Sequence, residues 1–96
     1  MISVIAKLKV SNSDEVNMEE LLKVLRTKSL TEHGCFLYEL SKKQYETLIE
    51  YIIFELWTSE EALEAHFLTE HFTHFECDSK HKILESSVEK FEYIKN

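Results

Sequence analysis

The chain has 96 residues, 44% of them hydrophobic, which suffices for one small domain with a thin core over residues 1–96. Its formal net charge of -7 argues against nucleic acid or an anionic membrane as a partner, because both would repel it. The two cysteines lack the spacing of a metal site. The chain shows no secretory signal and no apolar run that approaches the about 20 residues of a membrane span. A reducing, cytoplasmic setting is therefore expected.

The first third of the chain predicts a strand and a helix. Apolar and polar residues alternate from Ile2 to Val10, as in a strand with one buried face. The polar run Ser11–Asp14 then offers side chains that could cap a helix N-terminus. Apolar residues recur at helical spacing after it, which predicts an amphipathic helix to about Leu30.

The middle of the chain predicts a β-hairpin. After Gly34, residues 35–40 (CFLYEL) are predicted as a second strand, and residues 47–57 are rich in Ile, Tyr and Phe, which favour strands. The polar stretch 41–46 between them is typical of a turn. The two strands are therefore expected to pair antiparallel.

The last part predicts two helical pieces and a final strand. Thr58–Glu61 matches a capping box, with a hydroxyl at the N-cap and a carboxylate three residues on. Thr69 is expected to start a further helical stretch, and residues 86–94 read as the last strand. The order β-α-β-β-α-β predicts an α+β, ferredoxin-like fold with a four-stranded antiparallel sheet. Helices on one face would leave the other face bare, so a homodimer is expected to bury it.

Three of the five histidines, His66, His71 and His74, lie close together in the predicted helical region. His66 shares a helix face with apolar residues, so its imidazole is expected to point inward. There it would be either a hydrogen-bonded core residue or a proton donor or acceptor in an apolar pocket. His71 and His74 lack a convincing third ligand, so no metal site is predicted.

Glu55 shares a face of the third strand with Trp57. Its carboxylate is expected either to point inward and pair with His66 or to be solvated. Tyr38, Tyr51 and Trp57 are expected in the core or in a pocket wall. The chain has no glycine-rich phosphate loop, nucleophile elbow or zinc motif.

Two segments carry a resemblance to a known family. Residues Glu32–Leu40, EHGCFLYEL, resemble the E-x-G-C-x-x-Y strand of the antibiotic-biosynthesis-monooxygenase family. Residues Glu55–Phe72 resemble its longer signature E-x-W-x-S-x-x-A-L-x-x-H-x-x-T-x-H. With the first strand and helix, the resemblance covers nearly the whole chain. It implies a dimeric α/β barrel in which two four-stranded sheets face each other.

The chain looks most similar to the small quinol monooxygenases of that family, and this implies a chemistry. Such enzymes oxidise an electron-rich aromatic, quinol or polyketide-like molecule with molecular oxygen, using no cofactor, neither metal nor flavin. The resemblance implies His66 as the catalytic residue, which would assist deprotonation of the substrate. The substrate-binding residues that it implies are Tyr38, Glu55, Trp57, His71 and Phe72.

Two alternative functions stay open. Isomerases of a phosphorylated signal metabolite carry a histidine pair that His66 and His71 match, although Phe67 stands where those enzymes have a lysine. The chain could instead be a non-catalytic dimer that binds a small apolar ligand. A haem-degrading relative fits worse, because Lys7 and Glu76 stand near the positions of its asparagine and its iron ligand.

Overall fold

A computed structural model describes residues 1–96 and has four strands and three helices. The elements are β1 (Ile2–Ser11), α1 (Glu15–Ser29), β2 (Cys35–Gln44), β3 (Leu48–Trp57), α2 (Glu60–Phe67), α3 (Glu70–Ser79) and β4 (Ile83–Glu92). The strands form one antiparallel sheet in the order β2-β3-β1-β4. The predicted ferredoxin-like α+β fold is therefore confirmed. None of the helices has the length and hydrophobicity of a membrane-spanning segment.

The core lies between one face of the sheet and the helices. In β1 the even-numbered residues from Val4 to Val10 are buried, and in β3 the odd-numbered residues from Ile49 to Trp57 are buried. The register pairs Ala6 with Ile53, so both central strands bury the same face. The helices fill the other side of this core with Met18, Leu22, Leu25, Leu63 and Phe75. The alternation in the sequence thus decides which face the helices cover.

Two strand boundaries differ from the predicted ones. β2 continues through residues 41–44, where a turn was predicted, because these polar residues still pair with β3. They lie on an edge strand, where backbone pairing needs no apolar side chains. β4 begins at Ile83 rather than at residue 86, since Ile83 already pairs with Val10 of β1.

The helix caps confirm one prediction and correct another. Thr69 caps α3, and its hydroxyl accepts a hydrogen bond from the backbone N–H of Phe72, as predicted. The N-cap of α2 is Ser59, which accepts from the N–H of Ala62, so the capping box predicted on Thr58 was wrong. One residue of displacement puts an alanine where the box needs a carboxylate.

The start of α1 also differs from the prediction. Residues Asn12–Asp14 form one turn of 3₁₀ helix, and Asp14 makes no side-chain hydrogen bond to the helix end. The side chain of Asn12 donates instead to the backbone carbonyl of Glu46 at 3.1 Å. The polar run therefore ties the end of β1 to the loop between β2 and β3.

Gly34 brings the start of β2 against the start of α2. Its φ is +100°, and a Cβ at this position would lie 2.7 Å from Thr58 Oγ1 and 2.8 Å from the Cβ of Ala62. Its carbonyl accepts a hydrogen bond from the N–H of Thr58 at 2.8 Å. Only glycine fits this combination of left-handed backbone and close packing.

Substitution Gly34→Ala is expected to lower the free energy of unfolding by at least about 2 kcal/mol, because strain and overpacking add. Urea unfolding followed by circular dichroism measures the change. Ser87→Ala, at an exposed position of β4, serves as the control and should stay within about 0.5 kcal/mol of wild type. A Gly34→Ala variant as stable as the control would contradict the tight packing described for this loop.

Candidate functional site

An apolar cavity of about 200 Å³ lies between the sheet and the helices α2 and α3. Among the side chains that line it are Ala6, Leu8, Ile53, Phe67, Phe72 and Val88. The cavity is partly open to solvent, and such a mainly apolar lining with few polar groups is typical of sites for small molecules. Three of the predicted site residues line it: Tyr38, Glu55 and Phe72.

Glu55 is the buried ionisable group of this cavity. It lies on β3, flanked in the sheet by Tyr38 of β2 and Val4 of β1, and is only 5% exposed. Its Oε1 accepts a hydrogen bond from Nε1 of Trp57 at 2.9 Å. Of the two predicted arrangements, the carboxylate points inward and is not solvated, but its hydrogen-bond partner is the indole N–H of Trp57 and not His66.

Burial raises the pKa of the Glu55 carboxyl to about 7. The hydrogen bond from Trp57 opposes this shift, and the charge of Glu32 adds to it. A carboxyl with such a pKa is present in both protonation states at neutral pH. It can therefore accept a proton from a bound molecule and return it.

Tyr38 lies beside Glu55 in the cavity wall. The residue is buried, and desolvation raises the pKa of its phenol well above the usual range, with the Glu55 charge acting in the same direction. The phenol therefore stays protonated. A neutral phenol can donate a hydrogen bond but cannot serve as a base.

Glu32, His66 and His71 form a second cluster beside the cavity. Oε2 of Glu32 lies 2.6 Å from Nδ1 of His66 and 2.7 Å from Nε2 of His71. Glu32 is in the loop after α1, His66 in the last turn of α2, and His71 in the first turn of α3. Because an ionised carboxylate only accepts hydrogen bonds, both nitrogens donate to it.

His66 is packed among aromatic rings rather than open to the cavity. It is 1% exposed, and its ring centroid lies 4.6 Å from that of Trp57 and 5.1 Å from that of Phe72. Burial lowers the pKa of His66, and its hydrogen bond to Glu32 opposes that shift. The imidazole is therefore neutral at pH 7, with its proton on Nδ1 and a lone pair on Nε2.

The predicted site residues thus fall into two layers. Tyr38, Glu55 and Phe72 line the cavity, while Trp57, His66 and His71 stand behind it. Trp57 connects the two layers, because its ring packs against His66 and its indole N–H donates a hydrogen bond to Glu55 in the cavity wall. The sequence reasoning gave no role to Glu32, although this residue opens the strand motif E-x-G-C-x-x-Y.

The fold and the cavity define a class of protein: a ferredoxin-like domain with an apolar cavity between its sheet and its helices. The family model of antibiotic biosynthesis monooxygenases matches residues 1–76. The chain belongs to this family.

Solved structures of similar proteins agree over nearly the whole chain. A candidate antibiotic biosynthesis monooxygenase from Caulobacter crescentus is 26% identical and has a TM-score of 0.88, covering 98% of this chain and 90% of its own. A conserved protein of unknown function from Bacteroides thetaiotaomicron is 28% identical, with a TM-score of 0.86 and 96% of each chain covered. A candidate monooxygenase of this family from Deinococcus radiodurans shares the fold at 21% identity, with a TM-score of 0.90 over 100% of this chain and 95% of its own. No curated protein matches the chain.

Substitution Glu55→Gln is expected to stabilise the protein at high pH and not at low pH. Folding raises the pKa of Glu55 from 4.5 to about 7, so the folded state binds more protons between these values. In the wild type, the raised pKa of Glu55 contributes stability that is fully present below about pH 4.5 and is lost as the pH rises through about 7. Glutamine does not titrate, so the stability of the variant does not fall in this way. The difference in unfolding free energy between Glu55→Gln and wild type should therefore grow from about pH 4.5 upward and reach at most about 3 kcal/mol at pH 8.

Urea unfolding at a series of pH values measures this gap. The control is Glu20→Gln, because Glu20 is exposed on α1, away from the cavity and from the open face of the sheet. Its difference from wild type should stay flat with pH. A gap between Glu55→Gln and wild type that is equal at pH 4 and pH 8 would refute the raised pKa.

Proposed function

We infer that the protein is a cofactor-independent monooxygenase that oxidises a small electron-rich aromatic molecule of the quinol kind. The observation that carries this inference is the Glu55 carboxyl, buried in an apolar cavity with a pKa of about 7. Strongly shifted pKa values in enclosed sites are typical of groups that move protons. Membership of the antibiotic biosynthesis monooxygenase family supports the same class of reaction.

The cavity size suits a substrate with one aromatic ring. Its volume of about 200 Å³ exceeds the about 150 Å³ that can hold a benzene molecule. The walls are aliphatic and aromatic, so they would hold the ring by hydrophobic contact. A ring hydroxyl that reaches Glu55 would fix the orientation of the molecule.

The proposed reaction starts with removal of a phenolic proton by the Glu55 carboxylate. The neutral phenol of Tyr38 then donates a hydrogen bond to the quinolate oxygen, which is worth more in an apolar cavity than in water. The electron-rich ring passes electrons to dioxygen. One oxygen atom enters a ring carbon, and the other leaves as water with two protons, the one that Glu55 returns and the one that this ring carbon loses. Hydroquinone and dioxygen thus give hydroxyquinone and water, with all four electrons from the substrate.

His66 has a positioning role in this proposal. The hydrogen bond to Glu32 fixes the imidazole ring of His66, and this ring packs against the indole of Trp57. The indole N–H in turn donates a hydrogen bond to Glu55. Direct catalysis by His66, as the sequence suggested, stays a prediction. The pH dependence of the reaction separates the two roles.

Oxygen uptake by the metal-free protein with quinols and anthrones, corrected for autoxidation, tests the proposal. We expect kcat/KM to rise with pH through about 7, because the base must be ionised. Glu55→Gln should lower kcat at least about 100-fold and remove this inflection. His66→Phe should lower kcat less and keep an inflection, whereas Glu20→Gln, on the exposed side of α1, should match wild type.

Three results would contradict parts of this proposal. Loss of the inflection in His66→Phe, with the inflection kept in Glu55→Gln, would make His66 the base. Full activity in Glu55→Gln would remove Glu55 from the chemistry. Binding of quinols without any enzyme-dependent oxygen uptake would favour the non-catalytic, ligand-binding alternative.

The proposal includes a homodimer formed through the sheet face that the helices leave open. That face carries Ile5, Ile52, Phe54, Leu56 and Phe91. Phe54 lies near the middle of it, between Ile5 of β1 and Glu39 of β2, and is 36% exposed. Neighbouring apolar side chains of this kind favour burial against a second copy.

Substitution Phe54→Glu is expected to turn the dimer into a monomer, because dimerisation would bury an unpaired charge. Sedimentation velocity at micromolar concentrations measures the mass. Val16→Glu, on the exposed side of α1, is the matched control and should stay dimeric. A monomeric wild type, or a Phe54→Glu variant that remains dimeric, would rule out this interface.

A further inference from the structure

We propose that Glu32, His66 and His71 form a binding site for one divalent transition-metal ion of the zinc type. Their three ligand atoms lie within 4.8 Å of one another. The sequence suggested only the pair His71 and His74, which lacked a third donor. The fold supplies a different set, because it brings the loop after α1 to the junction of α2 and α3.

The distances in the cluster are close to those around a metal ion. The Glu32 carboxylate lies 2.6 Å and 2.7 Å from the two imidazole nitrogens. Donor atoms on one zinc ion, at about 2.0–2.2 Å from it, are about 3–3.5 Å from each other. A shift of the Glu32 carboxylate by less than about 1 Å, with the two imidazole nitrogens brought to about 3–3.5 Å from each other, would therefore replace two hydrogen bonds by three bonds to the ion.

The donor types select the ion. Two imidazole nitrogens and one carboxylate oxygen suit zinc, iron(II) and cobalt(II), whereas magnesium and calcium prefer oxygen donors throughout. His66 would bind through Nδ1, so its proton would move to Nε2. His71 would bind through Nε2.

The surroundings favour an ion in two ways. Glu32 forms no ion pair with a lysine or an arginine. The ionisable side chains within contact distance of its carboxylate are those of His66 and His71. A half-buried carboxylate without a cationic partner would be stabilised by a bound cation. The side chains of Glu32 and His71 are 13% and 16% exposed, so solvent reaches the cluster and an ion could enter from it.

All three donors are held by the fold before the ion arrives. Gly34 anchors the loop that carries Glu32, and each histidine lies in a terminal turn of a helix. The ion would tie this loop to the α2–α3 junction. The proposal does not depend on the oxidation reaction and stands or falls by itself.

Calorimetric titration of the metal-free protein with zinc is the first test. We expect one ion per chain. Glu32→Gln and His71→Ala should each weaken binding by more than the about 10–100-fold that loss of an outer-shell partner costs. The matched control is His74→Ala, since His74 lies one turn along the same helix and is exposed. It should bind zinc as wild type does, and magnesium should not compete.

Nitrogen-15 NMR of the imidazoles gives a second readout. Zinc should shift Nδ1 of His66 and Nε2 of His71 and leave His74 unchanged. The Tm of the wild type should rise by at least about 5 °C at roughly ten times the dissociation constant, and that of His71→Ala should not.

Zinc binding to His71→Ala as tight as to wild type would overturn the site. So would an equal loss in His74→Ala, or competition by magnesium at the same concentration. Glu32→Gln removes two hydrogen bonds of a half-buried group and can impair folding. His71→Ala, whose side chain is partly exposed, then decides the question, with circular dichroism confirming its fold.

Discussion

The close approach of Gly34 to the start of α2 is the constraint on which both layers of the site depend. The glycine lies two residues after Glu32 and immediately before β2, the strand that carries Tyr38. Its contact with Thr58 fixes β2 relative to the helix that carries His66. A larger residue would push the two segments apart, and a shift of 1 Å would break the short hydrogen bonds of the Glu32 carboxylate.

The buried carboxyl of Glu55 is kept at a cost in stability. A carboxylate in an apolar enclosure is destabilised unless several donors satisfy it, and here the indole of Trp57 is the donor within reach. A glutamine would fill the same volume without that cost. Natural proteins often keep such unfavourable groups at their working sites, where activity depends on them. The indole itself is held between His66 and the central strand, so the position of Glu55 is set by packing that extends beyond the cavity.

Much of the fold follows from local pattern, whereas the site depends on contacts that are distant in sequence. Alternation over residues 2–10 predicts the central strand, because one face of the strand packs against the core and the other does not. The partner of His66 could not be predicted in this way, since Glu32 lies 34 residues away and only the fold joins them. The polar end of β2 was missed because an edge strand pairs through its backbone. Side-chain packing determines that Glu55, and not His66, is the ionisable group that lines the cavity. The periodicity of the sequence gives no information about that packing.

Strand β3 separates the proposed chemistry from the proposed assembly. Phe54 and Glu55 are neighbours in sequence but point to opposite faces, one to the open side of the sheet and the other to the cavity. A slip of one residue in the pairing would exchange them and bury a phenylalanine where the carboxyl now lies. The register is held by β1 over the whole length of the strand and by β2 from Ile49 to Leu56, with one irregularity at the start of β2, between Cys35 and Leu37. Because the two faces share a backbone but no side chains, the proposed dimer contact and the proposed proton transfer depend on different side chains, and substitutions at Phe54 and Glu55 test them separately.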